Sequence, residues 1–484
     1  MGHTCETAVQ YPSTSITRQF LCGGLTTSYK NAIQPAASED SFGAQYNIDR
    51  HTGFMAPRPR TRLPGPWDLW EDTLDIARQA NLQVGDKIGL KPAEEAASRA
   101  WRDTARQMQV LATKELESSE TLLRHAHVVL AHILHFYVHT LPPSSPVSIP
   151  SSISVPLLYI SQRLGVPPVI TYADNVLYNW TMDGSTSSAG STDDLPTVAN
   201  VRSMTTFTNL VDEEEFYLAS ARIELRGVEA LDIMDLTLKE VRNVSDDGQA
   251  SAVKRITTRL LKLSGVIDNL KDLLMDTKRL CDPDRYYNQV RPWLRGEDAF
   301  STPVRTWIFE GIEAHPELRR PHELSGPSAG QSSLIHALDV FFGVDHEAES
   351  GSTSAARRTS LMTRMREYMP LEQRRFLNQL RETAPSVRQY IVQTRDEGLL
   401  AAFNRAVSAL KGFRDAHMII VTLYILGPAR RAAALQTRNA GLQEQSTCNS
   451  GNSGGEVVKG TGGTDMVKFL KETRARTTNA LLSN

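Results

Sequence analysis

Arg414 and His417 are the residues whose type and setting most invite chemistry. Leu400, Phe403, Val407, Leu410, Arg414, His417, Val421 and Tyr424 recur at alternating three- and four-residue steps. That spacing predicts one buried stripe on a helix over Gly398–Leu426. Two strongly polar members of such a stripe admit two readings. In one, His417 is a satisfied core histidine beside an arginine that snorkels to water. In the other, His417 ligates a metal and Arg414 offsets an anionic cofactor. A haem fits that description, with one axial histidine to iron and propionates that attract a guanidinium.

Other constellations are equally two-sided. His125, His132, His135 and His139 are spaced seven, three and four apart, near one helix face where zinc could in principle be held. They lack an HExxH frame, and we read them as semi-buried polar residues of that face. Lys459–Asp465 (KGTGGTD) has no strand before it and no Gly-Lys-Ser/Thr ending, so it fails as a nucleotide phosphate loop. It is either a lead-in to the last helix, with Thr464 as N-cap and Asp465 in the first turn, or an anion clasp. In a clasp, glycine-flanked backbone N–H groups and the Thr461 hydroxyl would close over a carboxylate. Ser328–Ser333 (SAGQSS) either caps a helix or lets a flat ligand approach the backbone. Arg291 lies among Tyr286, Tyr287 and Trp293, as a stacked interface arginine would, or as a clamp for an aromatic amino acid.

The elements that must position these residues are helical. Amphipathic proline-free patterns cover Trp67–Leu82 and Ala93–Val138, and Pro142–Pro156 reads as a Pro/Ser-rich connector. From Asp212 onward nearly everything is helix: Glu213–Val241, Ala252–Leu280, Ser333–Val344, Ala355–Tyr368, Leu371–Arg381, Gly398–Leu426 and Asp465–Leu482. The expected fold class is all-α. Residues 1–45 show no periodicity and read as a disordered tail; Gly184–Asp194 and Gln436–Glu456 read as Gly/Ser-rich loops.

Composition narrows the function classes. The 484 residues carry 53 Lys+Arg against 55 Asp+Glu, a net charge of -2, which argues against a dedicated nucleic-acid binder. The longest apolar run, Met418–Leu426, is half the ~18 residues that a membrane span needs. Cys5, Cys22, Cys281 and Cys448 form no CxxC pair and are too scattered for a disulfide framework, so a reducing cytoplasm is expected.

Taken in order, these segments resemble the indoleamine 2,3-dioxygenases. The resemblance runs through Tyr46–Asp49 with Gly53–Phe54, Val155–Pro156, Pro167–Asp174, Asn179–Trp180, Phe216–Ser220, Tyr286–Arg291, SAGQSS, Arg366–Pro370, the Arg414/His417 pair and KGTGGTD. It spans nearly all of the chain except the tail and two insertions. The acid-poor tail and the Gly/Ser insertions point to a fungal-type member.

The resemblance implies a small N-terminal helical domain with its connector (46–205) and a large helical domain (206–484) holding one haem b. It implies insertion of both atoms of O2 across the indole C2–C3 bond of L-tryptophan, giving N-formylkynurenine, the entry to kynurenine and NAD. A reductant for ferric enzyme and a monomeric state are also implied, with no nucleic-acid or membrane partner. His417 matches the iron ligand, Arg414 an arginine near a propionate, and Asp339 an acid on the helix after SAGQSS. Ser328 and Ala329 match backbone at the haem edge. Arg291 matches the arginine for the substrate carboxylate, and Thr461 the loop residue over the amino-acid end. Phe216, Tyr172, Tyr286, Tyr287, Asn175 and Leu294 match the walls around the indole, and Ser220 the small residue near O2. No general base is implied, because the oxidation belongs to the cofactor.

Three departures from the family pattern bear on substrate range. Asn175 stands where vertebrate members have cysteine. Tyr286-Tyr287 replaces a Phe-Phe pair, and Gly184–Asp194 is inserted. The competing reading is a haem-binding sensor of the same fold with little tryptophan turnover, against which the intact Arg291, Thr461 and His417 argue. A helical interaction protein without cofactor would give a colourless preparation.

Overall fold

Long apolar periodicities become long helices. The structure is a computed structural model that describes residues 43–183, 195–245, 248–299, 305–344, 360–434 and 466–483. Its helices include α1 (Asp68–Gln79), α2 (Pro92–Gln107), α3 (Glu120–His139) and α4 (Ser151–Leu164), then α5 (Val211–Asn243) and α6 (Gln249–Asp276). They continue with α7 (Ser333–Phe342), α8 (Leu371–Glu382), α9 (Val387–Thr394), α10 (Glu397–Val421) and α11 (Met466–Asn479). The helical class expected from the sequence is borne out. Boundaries follow local chemistry. Asp396 caps α10 by accepting the Leu399 N–H at 2.7 Å. α7 starts at the Ser332 cap and stops at Gly343, which takes the left-handed conformation (φ 69°) that terminates helices.

Strand is confined to short pairs. β1 (Val147–Ile149) runs parallel to β4 (Trp307–Phe309), Val147 opposite Trp307, and β2 (Trp180–Met182) runs antiparallel to β3 (Val201–Ser203).

Two expectations about the N-terminal half need correction. Ala93–Val138 is not one continuous helix. Met108 leaves helical space with ψ 143°, Lys114–Ser118 is a 3-10 turn, and Ser119 caps α3 afresh. The Trp67 indole N–H donates to the Ala112 carbonyl, an acceptor that a continuous helix would have kept for itself. Pro142–Pro156 is not merely a connector, since it holds β1 and the first turns of α4, with Pro156 inside that helix. Two of its serines are buried and bonded: Ser152 donates to Ala105 O at 2.7 Å and Ser154 to Glu310 O. These two hydroxyls can be interior because each finds a carbonyl.

Residues 42–484 cluster as one compact unit with two large apolar cores. One joins α1–α4 around Trp70, Trp101, Phe136 and Trp307. The other joins α5–α10 around Phe342, Phe376 and Phe403. α10 lies along α6, and α6 along α5. α5 meets α7 where Gly227 has no side chain: a Cβ there would stand 2.2 Å from the Leu334 side chain. The expected tail and the expected loops at Gly184–Asp194 and Gln436–Glu456 fall outside the described residues, apart from the tail's last positions.

Candidate active site

α5 supplies one wall of a large cavity. Phe216, Ser220 and Ile223 line it, at helical spacing on the face turned inward. The helix is anchored at its start by Glu213, whose carboxylate accepts the N–H groups of Phe207 (2.8 Å) and Thr208 (2.7 Å). That fixes where Phe216 begins. The cavity holds about 1860 Å³ of space, its mouth included, and is walled mostly by apolar side chains.

The Tyr286–Leu294 turns form a second wall. The Tyr286 ring stacks on Phe216 with centroids 4.0 Å apart, and Tyr424 meets it edge-on at 5.9 Å. Arg291 and Leu294 line the cavity. The Arg291 guanidinium sits 5.3 Å from the centroid of Tyr287, which supports it from the side; Tyr287 is not among the cavity-lining residues. Burial lowers the Arg291 pKa below its usual value, which marks a cation in a poorly solvated place. Such a group is suited to receive an anion.

The third wall is Tyr172, Asn175 and Val176. Tyr172 is held at both ends: its N–H donates to Gln331 Oε1 at 2.8 Å and its hydroxyl to Glu224 Oε1 at 2.8 Å. Ser332 Oγ donates to the same carboxylate oxygen at 2.7 Å. Glu224 Oε2 is buried without a partner, and burial pushes this carboxyl up to about 7. Asn175 Oδ1 is also buried and unpartnered, on a side chain that faces the cavity.

α7, α10 and the turn before α7 close the far side. Ser328, Ala329, Gly330 and Ser332 run along it, with the Ser328 hydroxyl accepting the Gly330 N–H at 3.2 Å. Arg414 on α10 is buried, with Nη2 2.6 and 2.7 Å from the two oxygens of Asp339 on α7, and Nη1 bonded to Thr477 on α11. One turn on, His417 is half-buried, lines the cavity, and makes no hydrogen bond among the described residues. Burial, reinforced by the Arg414 charge, pushes its imidazole down to about 4, so the ring is neutral, the form that ligates metals.

These residues fit a haem. An imidazole with no hydrogen-bond partner among the described residues faces an apolar cavity, a fixed arginine stands beside it, and small residues leave backbone at the edge. The described residues contain no cluster of three or more His, Cys, Asp or Glu able to hold a metal ion. The α3 histidines therefore form no zinc site, and they are not semi-buried: His132 and His135 are 0 % exposed. Thr461 and the rest of KGTGGTD lie outside the described residues. Glu224 escaped sequence reasoning. Its signal was a charged residue one turn beyond Ser220 on a buried face.

Comparison with known proteins agrees with this geometry. Residues 43–480 match the sequence profile described as indoleamine 2,3-dioxygenase. The chain is 28% identical to rat indoleamine 2,3-dioxygenase 1, over 93% of this chain and 98% of that one. It is 31% identical to the Saccharomyces cerevisiae indoleamine 2,3-dioxygenase, over 90% and 92%. A 6-hydroxytryptophan 2,3-dioxygenase of Fusarium equiseti is 28% identical, over 89% and 95%. With the profile covering almost every described residue and all four cavity walls, the chain belongs to the indoleamine 2,3-dioxygenase family of oxidoreductases.

Proposed function

We propose that the protein is a haem-dependent dioxygenase that converts L-tryptophan to N-formylkynurenine, the first step of the kynurenine pathway. The observation that carries this reading is the shared cavity: neutral His417, with no hydrogen-bond partner among the described residues, and half-buried, cationic Arg291 line it together, with the stacked Phe216 and Tyr286 rings among its walls. One haem b would be held by His417, with Arg414 presenting a fixed charge near a propionate and Ser328–Ala329 along its edge. Haem supplies the redox chemistry that delivers both atoms of O2. The chain's own residues bind and orient. Arg291 takes the substrate carboxylate, propped by Tyr287, and the family resemblance assigns Thr461 to the amino-acid end. Phe216, Tyr172, Tyr286 and Leu294 enclose the indole and exclude water, while Ser220 keeps the O2 side uncrowded.

The test is product formation by haem-loaded protein under air with a reductant for the ferric form. Formation of N-formylkynurenine that disappears in Arg291→Ala supports the reading. A red protein whose spectrum ignores tryptophan and which makes no product turns it into a haem sensor.

Asn175 favours a second substrate within the same reaction. Its carboxamide belongs to a cavity-lining side chain and has a buried oxygen without a hydrogen-bond partner, and such a polar group suits a hydroxyl on the indole ring better than bare carbon does. The Fusarium equiseti relative is named for such a compound. Competition between L-tryptophan and 6-hydroxy-L-tryptophan, in the native protein and in Asn175→Ala, decides it. A preference for the hydroxylated compound that Asn175→Ala abolishes is the supporting result.

A further inference from the structure

Burial pushes His132, His135 and His139 of α3 below the neutral range, and one of them touches both arms that carry the substrate pocket. His135 Nδ1 lies 2.7 Å from the Trp293 carbonyl, and its Nε2 accepts the Ile170 N–H at 3.2 Å. Because Nε2 accepts, the proton must sit on Nδ1, where it is donated to Trp293; one tautomer satisfies both partners. Trp293 is two residues after Arg291, and Ile170 two residues before Tyr172.

The need for such a brace is visible in the Arg291 turn. A 3-10 turn leaves its last carbonyls without donors from its own backbone. Here side chains supply them. Arg295 Nε donates to Pro292 O at 3.1 Å, His135 to Trp293 O, and His139 Nε2 to Arg295 O at 2.9 Å. The other arm is also tied to α3. His127 Nδ1 lies 2.7 Å from Asp174 Oδ1, and Asp174 Oδ2 takes the Thr171 N–H at 2.8 Å, just before Tyr172. His135 is where the two sets of ties meet.

We propose that His135 is a positioning residue of the substrate site, fixing the Arg291 turn against the Tyr172–Asn175 segment by donating to one and accepting from the other. Burial pushes its imidazole down to about 3, so the single-proton ring that this geometry requires persists across the working pH range. The functional half of the proposal rests on the reading of Arg291 as the carboxylate clamp.

His132 is the internal control. It lies on the same helix, equally buried, but its Nδ1 bonds only the Val128 carbonyl of α3 itself and its Nε2 has no partner. The experiment compares His135→Leu, His135→Gln and His132→Leu in the full haem-loaded chain. It measures hydrogen exchange over residues 167–175 and 288–296 and the steady-state kinetics of L-tryptophan. His135→Leu should speed exchange in both segments and raise KM about tenfold while kcat changes less than about threefold. His135→Gln, whose amide can donate and accept across the same gap, should restore most of both. His132→Leu should alter neither. If His135→Leu does not fold, His135→Asn replaces it, since its shorter amide spans to one partner only.

Exchange unchanged in His135→Leu, or equally changed in His132→Leu, overturns the brace. Faster exchange with unaltered KM overturns its role in substrate binding, provided that Arg291→Ala raises KM. If Arg291→Ala also leaves KM unaltered, the clamp reading fails and the brace stands on exchange alone.

Discussion

The Arg414 guanidinium and the Asp339 carboxylate form a buried ion pair across the α10–α7 contact, one nitrogen lying 2.6 and 2.7 Å from the two oxygens. Neither side chain reaches water to any extent, at 7% and 1% exposure. The pair holds in register the helix that carries His417 and the helix that follows the Ser328–Ser332 turn.

Removing one partner leaves the other buried and uncompensated. Asp339→Ala should therefore destabilise the protein by about 3–5 kcal/mol. Guanidinium unfolding should show the loss, and Arg414→Leu combined with Asp339→Leu should recover a good part of it.

Glu224 makes stability depend on pH in a direction opposite to most carboxylates. Its folded pKa of about 7 lies above the 4.5 of a free glutamate carboxyl, so the native state holds a proton that the unfolded state has released. Stability is therefore lost as pH rises from about 4.5 to about 7, by up to about 3 kcal/mol. Glu224→Gln keeps an acceptor for Tyr172 and Ser332 and should flatten that slope. Urea titrations at pH 5 and pH 8 check it; identical slopes in the two proteins would refute the assignment.

His417→Ala should lose haem without losing the fold. The imidazole makes no hydrogen bond among the described residues, so truncation should change the stability of the haem-free chain by less than about 1 kcal/mol. The Soret band and the haem-to-protein ratio report one effect, and urea unfolding the other.

Arg291→Ala should lower kcat/KM for L-tryptophan by about 30- to 5,000-fold, corresponding to about 2–5 kcal/mol for stripping a charged partner from a desolvated pair. Steady-state kinetics in haem-loaded protein measure it. The fall should come mainly through KM.

How much of this was legible in the sequence depends on distance along the chain. α5, α6, α7, α8 and α10 were readable because each carries its own apolar period and, in α7 and α10, its own cap. The break between α2 and α3 was not, because it depends on Trp67 reaching across to Ala112. Nor was the β1–β4 pair, three residues each, brought together from far apart in the sequence. In the site, Arg414 and His417 stood out on one helix as polar members of an apolar stripe. Glu224 takes its meaning from Tyr172 and Ser332, which come from two other segments. His135 read as an ordinary face residue because its partners are backbone atoms, and backbone atoms leave no mark in a sequence.

The chain leaving the Arg291 turn and the chain entering the Ser328 turn touch at two glycines. A Cβ on Gly296 would fall 2.1 Å from Leu324 O, and one on Gly326 2.0 Å from Leu294 O. Everything between, including β4, is thus an excursion pinched shut at its neck. A side chain at either glycine, as in Gly296→Ala or Gly326→Ala, should therefore displace Leu294 and Ser328, the cavity-lining residues that flank the pinch.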